Sequence, residues 1–402
     1  MALTSVPAIN AQLDMLNHLI SHQNAAIDLL ASDKRAALAS DIGVIAELIH
    51  AGELLEVMDY GDKIAIGWND GETHYTPELN LCHIENGILE DGETVPVADF
   101  EWDKTLPFNT QFSAPQAIYE SESDLPAGTY YFRIKNDGWG GNNDKYIQFT
   151  LASAMTAGKQ IRKKSGAYNA AIENCTLGIF ASGADTTGET LAFTVETAPS
   201  GTNLGDTDGT GDLNHWSRVV LGHNRWATSA LRQWLNSSAS AGNWWSKKEK
   251  WEVKPDYASK AGFLSGYDAE VVQHFKATKV VTGKNTITDG GGVDITYDKV
   301  FLRSLEQMYV SPQLSSEVGS EGEYWEYYKR LLGRTTPAAR QQTYTRLIKY
   351  AIGTTSARSC WARSAYLGAA SYVWYVFSSG YVTYSYGAYY GYRCAPVCRI
   401  GL

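Results

Sequence analysis

The segment from Ser364 to Tyr392 constrains this chain more than any other stretch, because it contains no charged residue and no Asn, Gln or His. The whole chain, in contrast, is 19% charged. Of the 29 residues in the segment, nine are Tyr, five Ser, four Gly and four Ala. A buried Tyr hydroxyl needs a hydrogen-bond partner, and nine such hydroxyls would be hard to satisfy within one core segment. Exposed Tyr instead offers a large amphipathic contact area with only two torsions to fix. The composition therefore favours a recognition surface over a pair of buried strands.

The order of residues within this segment predicts a β-hairpin. Val373–Phe377 and Tyr381–Tyr384 flank a three-residue turn, Ser378–Gly380, as in a short hairpin connection. Because successive residues of a strand point to opposite faces, Trp374 and Tyr375 lie on different sides of it. We expect an aromatic, hydroxyl-rich outer face on an aliphatic inner one.

Residues 8–55 have few glycines and apolar residues at helical spacing, which predicts helix. The apolar positions Leu13, Leu16, Ile20, Ile27, Leu30 and Ala37 follow alternating three- and four-residue steps, which the polar residues Gln23 and Lys34 interrupt at the same register. Such a seam can assemble a parallel trimer or dimer. The same pattern also suits a helical hairpin folded onto its own domain, with a break at Ala31–Asp33.

From Met58 onward, short apolar runs separated by turn residues predict an antiparallel β domain, a β-sandwich or jelly roll. The expected strands are Lys63–Trp68, Val95–Phe100, Thr129–Lys135, Tyr146–Ala152, Leu177–Ala181 and Thr190–Thr197. The Gly-, Thr-, Ser- and Asp-rich segment Thr197–Leu213 is the best candidate for a domain boundary.

Three carboxylates in this boundary, Asp206, Asp208 and Asp212, are spaced as in a calcium loop. An EF-hand would add a bidentate Glu at its twelfth position, where this chain has Ser217. A polar turn that uses Asp for local backbone hydrogen bonds is the favoured interpretation.

After the boundary, Asn224–Asn236 is predicted to be a capped amphipathic helix. Its apolar stripe consists of Leu231, Trp234 and Leu235. Trp244 and Trp245 follow in a loop, and packing is favoured over a ligand slot for this Trp group. A further helix is expected over Ser320–Leu332.

Charge and motifs exclude several classes of function. The net charge of −10 and the absence of a basic footprint argue against nucleic-acid partners. The sequence has no apolar stretch of 18 residues, so no membrane-spanning helix is expected. The five cysteines are widely spread, so we expect buried thiols and no metal site. The sequence also allows a disulfide between Cys360 and either Cys394 or Cys398. Hydrolase, P-loop and dinucleotide-binding motifs are missing, so neither an enzyme nor a cofactor is expected. The amino terminus does not resemble a secretory signal, which suggests export on a particle released by lysis.

The C-terminal residues carry a resemblance to a known family. Cys360-Trp361-Ala362-Arg363-Ser364, the Tyr-, Ser- and Gly-rich hairpin and the closing residues 391–400 resemble the variable region of proteins diversified by diversity-generating retroelements. The resemblance covers about residues 210–402 and includes the helix 226–235 and the strand 346–350. It implies a C-type-lectin fold related to formylglycine-generating enzymes. The chain departs from the usual pattern in having Cys360 in place of a second Trp and Ala362 in place of Leu.

In that family, mutagenic reverse transcription replaces adenines, so that AAC codons become NNC and can encode Tyr, Phe, Ser, Ala, Thr, Leu, Gly or Asn but never Lys, Glu, Gln, Met or Trp. The resemblance thus implies ligand-binding, diversified positions at Tyr366, Ala369, Ser371, Tyr372, Tyr375, Phe377, Tyr381, Thr383, Tyr384, Ser385, Tyr386, Ala388, Tyr389, Tyr390 and Tyr392. The implied invariant frame consists of Trp361, Arg363, Ser364, Trp374, Val376, Ser378, Gly380, Val382, Arg393, Pro396 and Val397.

Together these observations predict an α+β chain with three parts. They are an N-terminal helical oligomerisation segment (1–55), a β-sandwich-like middle domain (56–205) and a C-type-lectin-like domain (206–402) whose variable region is 361–393. The expected function is that of a phage tail-tip receptor-binding protein in the virion. Its expected partners are a bacterial surface protein or glycan, other tail proteins and further copies of itself, a homo-oligomer with a trimer favoured. The alternatives are a diversified adhesin on a bacterial cell surface and a structural virion protein whose Tyr-rich face is an assembly interface.

Overall fold

The computed structural model describes residues 41–108, 117–134, 145–165, 175–181, 187–197, 199–206, 222–248, 252, 254–311 and 321–402, together with Leu13 and Asn17. Apart from Leu13, the predicted apolar seam of residues 13–37 lies outside these residues. So do Asp208 and Asp212 of the candidate calcium loop.

The helices in the described residues are short. They are α1 (Ile42–Ala51), α2 (Leu54–Val57), α3 (Ala230–Leu235), α4 (Ala269–Val272) and α5 (Glu326–Leu332). Single 3-10 turns occur at Trp226–Thr228, Asp256–Ser259, Phe263–Gly266 and Thr345–Leu347. Within the described part of the chain, no helix is long and apolar enough to span a membrane.

Strands account for most of the regular structure. In chain order they are β1 (Lys63–Ala65), β2 (Trp68–Asn69), β3 (His74–Tyr75), β4 (Glu78–Ile88), β5 (Thr94–Trp102), β6 (Lys104–Thr105), β7 (Ala117–Glu120), β8 (Gly128–Ile134), β9 (Lys145–Leu151), β10 (Gln160–Ser165), β11 (Thr176–Phe180), β12 (Glu189–Leu191), β13 (Phe193–Glu196), β14 (Thr202–Asp206), β15 (Thr278–Gly283), β16 (Val293–Asp298), β17 (Val300–Phe301), β18 (Lys349–Ala351), β19 (Ala357–Arg358), β20 (Cys360–Ala365), β21 (Val373–Val376), β22 (Val382–Thr383) and β23 (Val397–Ile400).

The predicted fold class, α+β with an N-terminal helical segment and a C-type-lectin-like end, is wrong for the described residues. They form mainly β strands in small sheets of two to five strands, with few helices. The helices are short because the chain interrupts them early: α1 ends at Gly52, whose φ of 74° is left-handed, and extended backbone at Ser229 precedes α3. The α1 helix packs Ile45 and Ile49 into the core.

The largest sheet has the strand order β1-β4-β5-β23-β17. The last strand, β23, pairs antiparallel with β5, so that Cys398 lies opposite Phe100. This sheet therefore joins segments on both sides of the boundary predicted at residues 205 and 206. Its residues belong to a large core that extends from α1 to β23.

A buried cluster of charged residues is centred on Glu101 of β5. The Glu101 carboxylate accepts hydrogen bonds from Arg303, from the Tyr328 hydroxyl and, at 2.9 Å, from Lys349 Nζ. Burial raises the pKa of Glu101, but Arg303 and Lys349 outweigh it and hold that pKa below its usual value. The cluster fastens β5 to the segments that carry residues 303, 328 and 349.

A second core is formed by two four-stranded sheets, β12-β11-β10-β7 and β13-β9-β8-β14. Phe132 and Phe149 of one sheet pack with Ile161 and Leu177 of the other. Each strand predicted between residues 129 and 197 overlaps an observed one. Tyr389, far away in sequence, completes this core.

Candidate ligand-binding surface

The frame of the Tyr-rich segment is β20, in which all six residues are buried. Arg363 anchors this strand: its Nη1 donates to the Leu302 carbonyl at 2.8 Å and its Nε to Thr282 Oγ1 at 3.1 Å. Burial lowers the pKa of Arg363 to about 10, and Glu321 opposes the shift, so the guanidinium keeps its charge at neutral pH. The strand next to the candidate surface is thus held by specific buried bonds.

The predicted hairpin is present. In β20, Trp361 pairs with Tyr375 of β21, and Tyr375 pairs in turn with Thr383 of β22. The turn ends at Gly380, whose φ is 87°, and a Cβ there would lie 2.5 Å from the Tyr344 carbonyl oxygen. Glycine is required at this position because both the backbone angle and the close approach exclude a side chain.

The side-chain amide of Asn224 binds the loop between β20 and β21 at several points. Asn224 Nδ2 lies within hydrogen-bonding distance of three loop carbonyls: Tyr372 at 2.7 Å, Ala369 at 2.8 Å and Tyr366 at 3.2 Å. Its Oδ1 accepts from Asn285 Nδ2 at 2.9 Å. We call this arrangement the Asn224 clamp. It fixes the backbone that carries the first rings of the Tyr-rich segment.

One group of rings lies on the Trp374 side of the hairpin. Tyr366 and Tyr384 stack in parallel, with ring centroids 3.7 Å apart and 2° between their planes. Tyr384 also meets Trp374 edge to face at 4.9 Å. The neighbouring Tyr384 side chain, together with burial, raises the pKa of Tyr366. We call Tyr366 and Tyr384 the stacked pair.

A second group, the tyrosine cluster, lies on the opposite side and consists of Tyr375, Tyr386, Tyr390 and Tyr392. Tyr392 packs on Trp361 at 4.9 Å and on Tyr375 at 4.9 Å. The Tyr375 hydroxyl lies 3.1 Å from Ser385 Oγ. Burial is the main cause of a raised pKa at both Tyr375 and Tyr392. These phenols therefore stay neutral at physiological pH.

The far end of the segment lies against the second core. Tyr389 is only 7% exposed and belongs to that core. Tyr372 and Tyr390 are partly buried and pack against the same core. Tyr389 and Tyr390 are in direct contact, with ring centroids 4.5 Å apart. These three tyrosines therefore join the hairpin to the middle sheets.

The structure separates the predicted ligand-binding residues by burial. Exposed are Phe377 and Ser385; half-buried are Tyr366, Tyr372, Tyr381, Tyr384, Tyr386, Ala388, Tyr390 and Tyr392; buried are Ala369, Ser371, Tyr375, Thr383 and Tyr389. An aromatic face that is wholly displayed is therefore the wrong description. Tyr375, 1% exposed, is covered because the loop after β22 folds back and lays Tyr386 and Tyr392 on it.

Sequence reasoning missed two residues of this region. Asn224 was expected only to begin a helix, and no local signal shows that its amide clamps a loop more than 140 residues away. The guanidinium of Arg340 lies over the Trp374 ring, 5.8 Å from its centroid. Arg340 lies outside the charge-free segment in sequence, but its side chain places a positive charge next to Trp374, which contacts the stacked pair.

The Trp and Cys residues considered as candidates in the sequence belong to the protein interior. Trp226, Trp234 and Trp244 are buried in the large core and the half-buried Trp245 packs against it, which confirms the packing interpretation of the Trp group. All five cysteines are buried free thiols. In the described ranges no group of His, Cys, Asp and Glu has the arrangement of a metal site.

The comparison with known families matches the C-terminal half of the chain. Residues 202–400 fit a family described as "Domain of unknown function (DUF6273)". This match begins at the first residue of β14 and includes the hairpin, the Asn224 clamp and β23. No curated protein and no solved structure matches the chain.

Proposed function

We propose that the chain is a binding protein that recognises a bacterial surface protein or glycan through the accessible members of its Tyr-rich segment. We assign this role to the tail tip of a phage, where a homo-oligomer, favoured to be a trimer, presents several copies of the surface. The proposal rests on one observation above all: half-buried, neutral tyrosine rings are packed onto a fixed frame and onto one another.

Fixed rings favour binding because less conformational freedom is lost on contact. Immobilising a flexible side chain costs roughly 0.5–1.5 kcal/mol, and a ring already held by its neighbours avoids most of that cost. Tyr366 is held by Tyr384, and Tyr386 by Tyr390 and Tyr392. Rings of this kind supply contact area and a neutral hydroxyl that suits proteins and glycans alike.

The buried members of the segment have a different role in this proposal. Tyr375, Thr383 and Tyr389 support the surface from below, whereas Tyr384, Ser385 and Tyr386 are available to a ligand. The contacting set is therefore narrower than the full set of diversified positions that the family resemblance implies.

A binding experiment separates recognition from a merely structural role. The chain is displayed on a tetrameric carrier, so that weak contacts gain avidity, and incubated with a panel of bacterial strains. We expect binding to some strains, and we expect Tyr384→Ala and Tyr386→Ala to reduce it at least tenfold. Tyr350→Ala is the matched control, since Tyr350 is 40% exposed and lies outside the segment. Equal binding by all three variants would refute the proposal.

A genomic comparison tests the diversification. We expect an adenine-rich near-copy of the 3′ coding end beside a reverse transcriptase gene, and variation among isolates confined to the fifteen implied positions. Invariance at these positions, combined with self-association through the Tyr-rich segment, would favour an assembly interface instead. Detection of the chain in purified virions tests its proposed location.

A further inference from the structure

Two arginines, Arg358 and Arg393, share one face of the sheet at the start of β20. Arg393 forms a parallel bridge with Cys360. The Arg393 N–H donates to the Ser359 carbonyl at 3.1 Å, and the Arg393 carbonyl accepts from the Trp361 N–H at 2.9 Å. Bridged residues of neighbouring strands point to the same face, so the Arg393 side chain lies on the Cys360 side. Arg358 precedes Cys360 by two residues, and alternate residues of an extended strand also share a face. We call Arg358 and Arg393 the arginine pair.

The guanidinium groups of the arginine pair are open to a ligand. Neither group makes a hydrogen bond or an ion pair with any residue that the structure describes. Arg358 is exposed and Arg393 is half-buried. None of the Arg393 nitrogen atoms is among the buried, unpaired atoms of the described residues, so solvent reaches its donors. Burial and the like charge of Arg358 lower the pKa of Arg393, which agrees with the close approach of the two side chains.

The surroundings of the arginine pair supply no counter-charge. Lys349, which lies on the neighbouring strand β18, is itself a cation and is matched by Glu101 at 2.9 Å. Tyr257 and Cys394 lie near Arg393. Burial raises the pKa of both the phenol and the thiol, so both groups are neutral at physiological pH. The chain has 44 acidic and 34 basic residues, so a shortage of carboxylates does not explain why the pair is unmatched.

Two adjacent guanidinium groups call for an anion that has oxygen atoms for both. Each guanidinium presents its N–H donors in a planar fork that matches two oxygens of a carboxylate or a phosphate. A carboxylate has only two oxygens, and a single guanidinium can occupy them. A phosphate monoester has three acceptor oxygens and a charge of about −1.5 to −2 at pH 7, so it can contact both groups at once. Phosphate therefore fits the arginine pair better than a carboxylate does.

We propose that the arginine pair binds a phosphate group that bridges Arg358 and Arg393. The phosphate offsets the repulsion between the two like charges and accepts from donors that the fold leaves open. Because Cys360 and Trp361 are consecutive in β20, the pair lies on the face opposite Trp361, the residue on which Tyr392 of the tyrosine cluster packs. The site is thus separate from the Tyr-rich surface, and its ligand binds independently of the ligand proposed for that surface.

Isothermal titration calorimetry of the full chain in phosphate-free buffer measures this binding. The probes are inorganic phosphate, glycerol 3-phosphate and acetate. We expect saturable binding of both phosphates and at least about tenfold weaker binding of acetate. Tighter binding of glycerol 3-phosphate would identify an ester as the source of the phosphate, and tighter binding of inorganic phosphate would identify the free ion; either order supports the site. Added salt should weaken both affinities, because it screens charges that solvent reaches.

Variants assign the binding to the arginine pair. Arg358→Gln and Arg393→Gln each remove one charged donor group and should weaken phosphate binding about tenfold to a hundredfold, the effect of a hydrogen bond to a charged group. Arg358 is exposed, so Arg358→Gln tests the proposal even if Arg393→Gln fails to fold. Arg334→Gln is the matched control. Arg334 is an exposed arginine whose Nε donates to the Thr336 carbonyl at 3.3 Å, so this variant loses the same charge outside the pair and should bind phosphate normally.

Four results would overturn the proposal. They are no saturable binding of either phosphate; acetate binding as tight as that of phosphate; equal phosphate affinity in wild type and Arg358→Gln; and an equal loss in Arg334→Gln, which would mean that net charge and not the arginine pair attracts the anion. Tyr386→Ala should leave the phosphate titration unchanged, which keeps this result separate from that of the Tyr-rich surface.

Discussion

Removing the Asn224 clamp should destabilise the loop that carries the first rings of the Tyr-rich segment. In Asn224→Ala, three loop carbonyls lose their common donor, and Asn285 Nδ2 loses an acceptor. An amide nitrogen has two hydrogens, so the bonds at 2.7 and 2.8 Å carry most of the effect. Asn224 is 4% exposed, so water cannot readily replace it.

The expected loss follows from these contacts. Two net hydrogen bonds at about 1 kcal/mol each, plus part of the cost of leaving buried acceptors unpaired, predict a decrease of about 2–4 kcal/mol in the free energy of unfolding. Asn224→Asp should lose at least as much, because it places a buried carboxylate against three carbonyl oxygens.

Urea unfolding followed by tryptophan fluorescence measures this loss as a lower midpoint at an unchanged slope. Asn243→Ala is the matched control: that amide binds Ser240 Oγ at 2.8 Å on the surface, and its loss should change stability by no more than about 0.5 kcal/mol. If Asn224→Ala unfolds at the wild-type midpoint, the assignment of the clamp is refuted.

Three further predictions follow from burial and charge. Tyr389→Ala should cost about 3 kcal/mol of stability, because Tyr389 is part of the second core. Tyr386→Ala should cost less than about 1 kcal/mol, because Tyr386 lies at the surface. Thermal melts distinguish the two variants, and equal losses would contradict these different roles of Tyr389 and Tyr386. Glu101→Gln should cost about 3–5 kcal/mol near neutral pH, because Arg303 and Lys349 lose a buried counter-charge. Since the folded pKa of Glu101 is lowered, its contribution to stability is present above the unfolded pKa of about 4.3 and is lost as the pH falls through the folded pKa. The stability difference from wild type should therefore shrink as the pH is lowered below the unfolded pKa, and a constant difference would exclude the ion pairs as its cause. The five buried thiols should react with a thiol-specific reagent only in denaturant, and rapid labelling of the native chain would contradict their burial.

Local patterns could be predicted where neighbouring residues decide the structure. The stripe Leu231, Trp234 and Leu235 is buried as expected, and the turn at Ser378–Gly380 forms because Gly380 supplies the required left-handed backbone. Failures occurred where distant contacts decide. The sequence around Tyr375 does not show that Tyr386 and Tyr392 will cover it, since a loop has to fold back first.

The sequence also does not show which strands pair in a sheet. Strands β5 and β23 read as separate short apolar runs, and nothing in either run specifies the other as its partner. The error in fold class has the same origin: helical spacing was taken to indicate long helices, whereas the helices of the described residues are short. The clamp at Asn224 and the joint at Tyr389 likewise depend on contacts between segments remote in the chain.

The pairing of β5 with β23 has a consequence for biosynthesis. Asp99 and Arg399, which bond across these strands, are 300 residues apart. A ribosome that adds ~5–20 residues per second needs about 15–60 s to make the intervening chain. Throughout that time one edge of β5 has no neighbour and can pair with other nascent chains. Protection by a chaperone, or early docking of another segment on that edge, should therefore raise the yield of soluble protein.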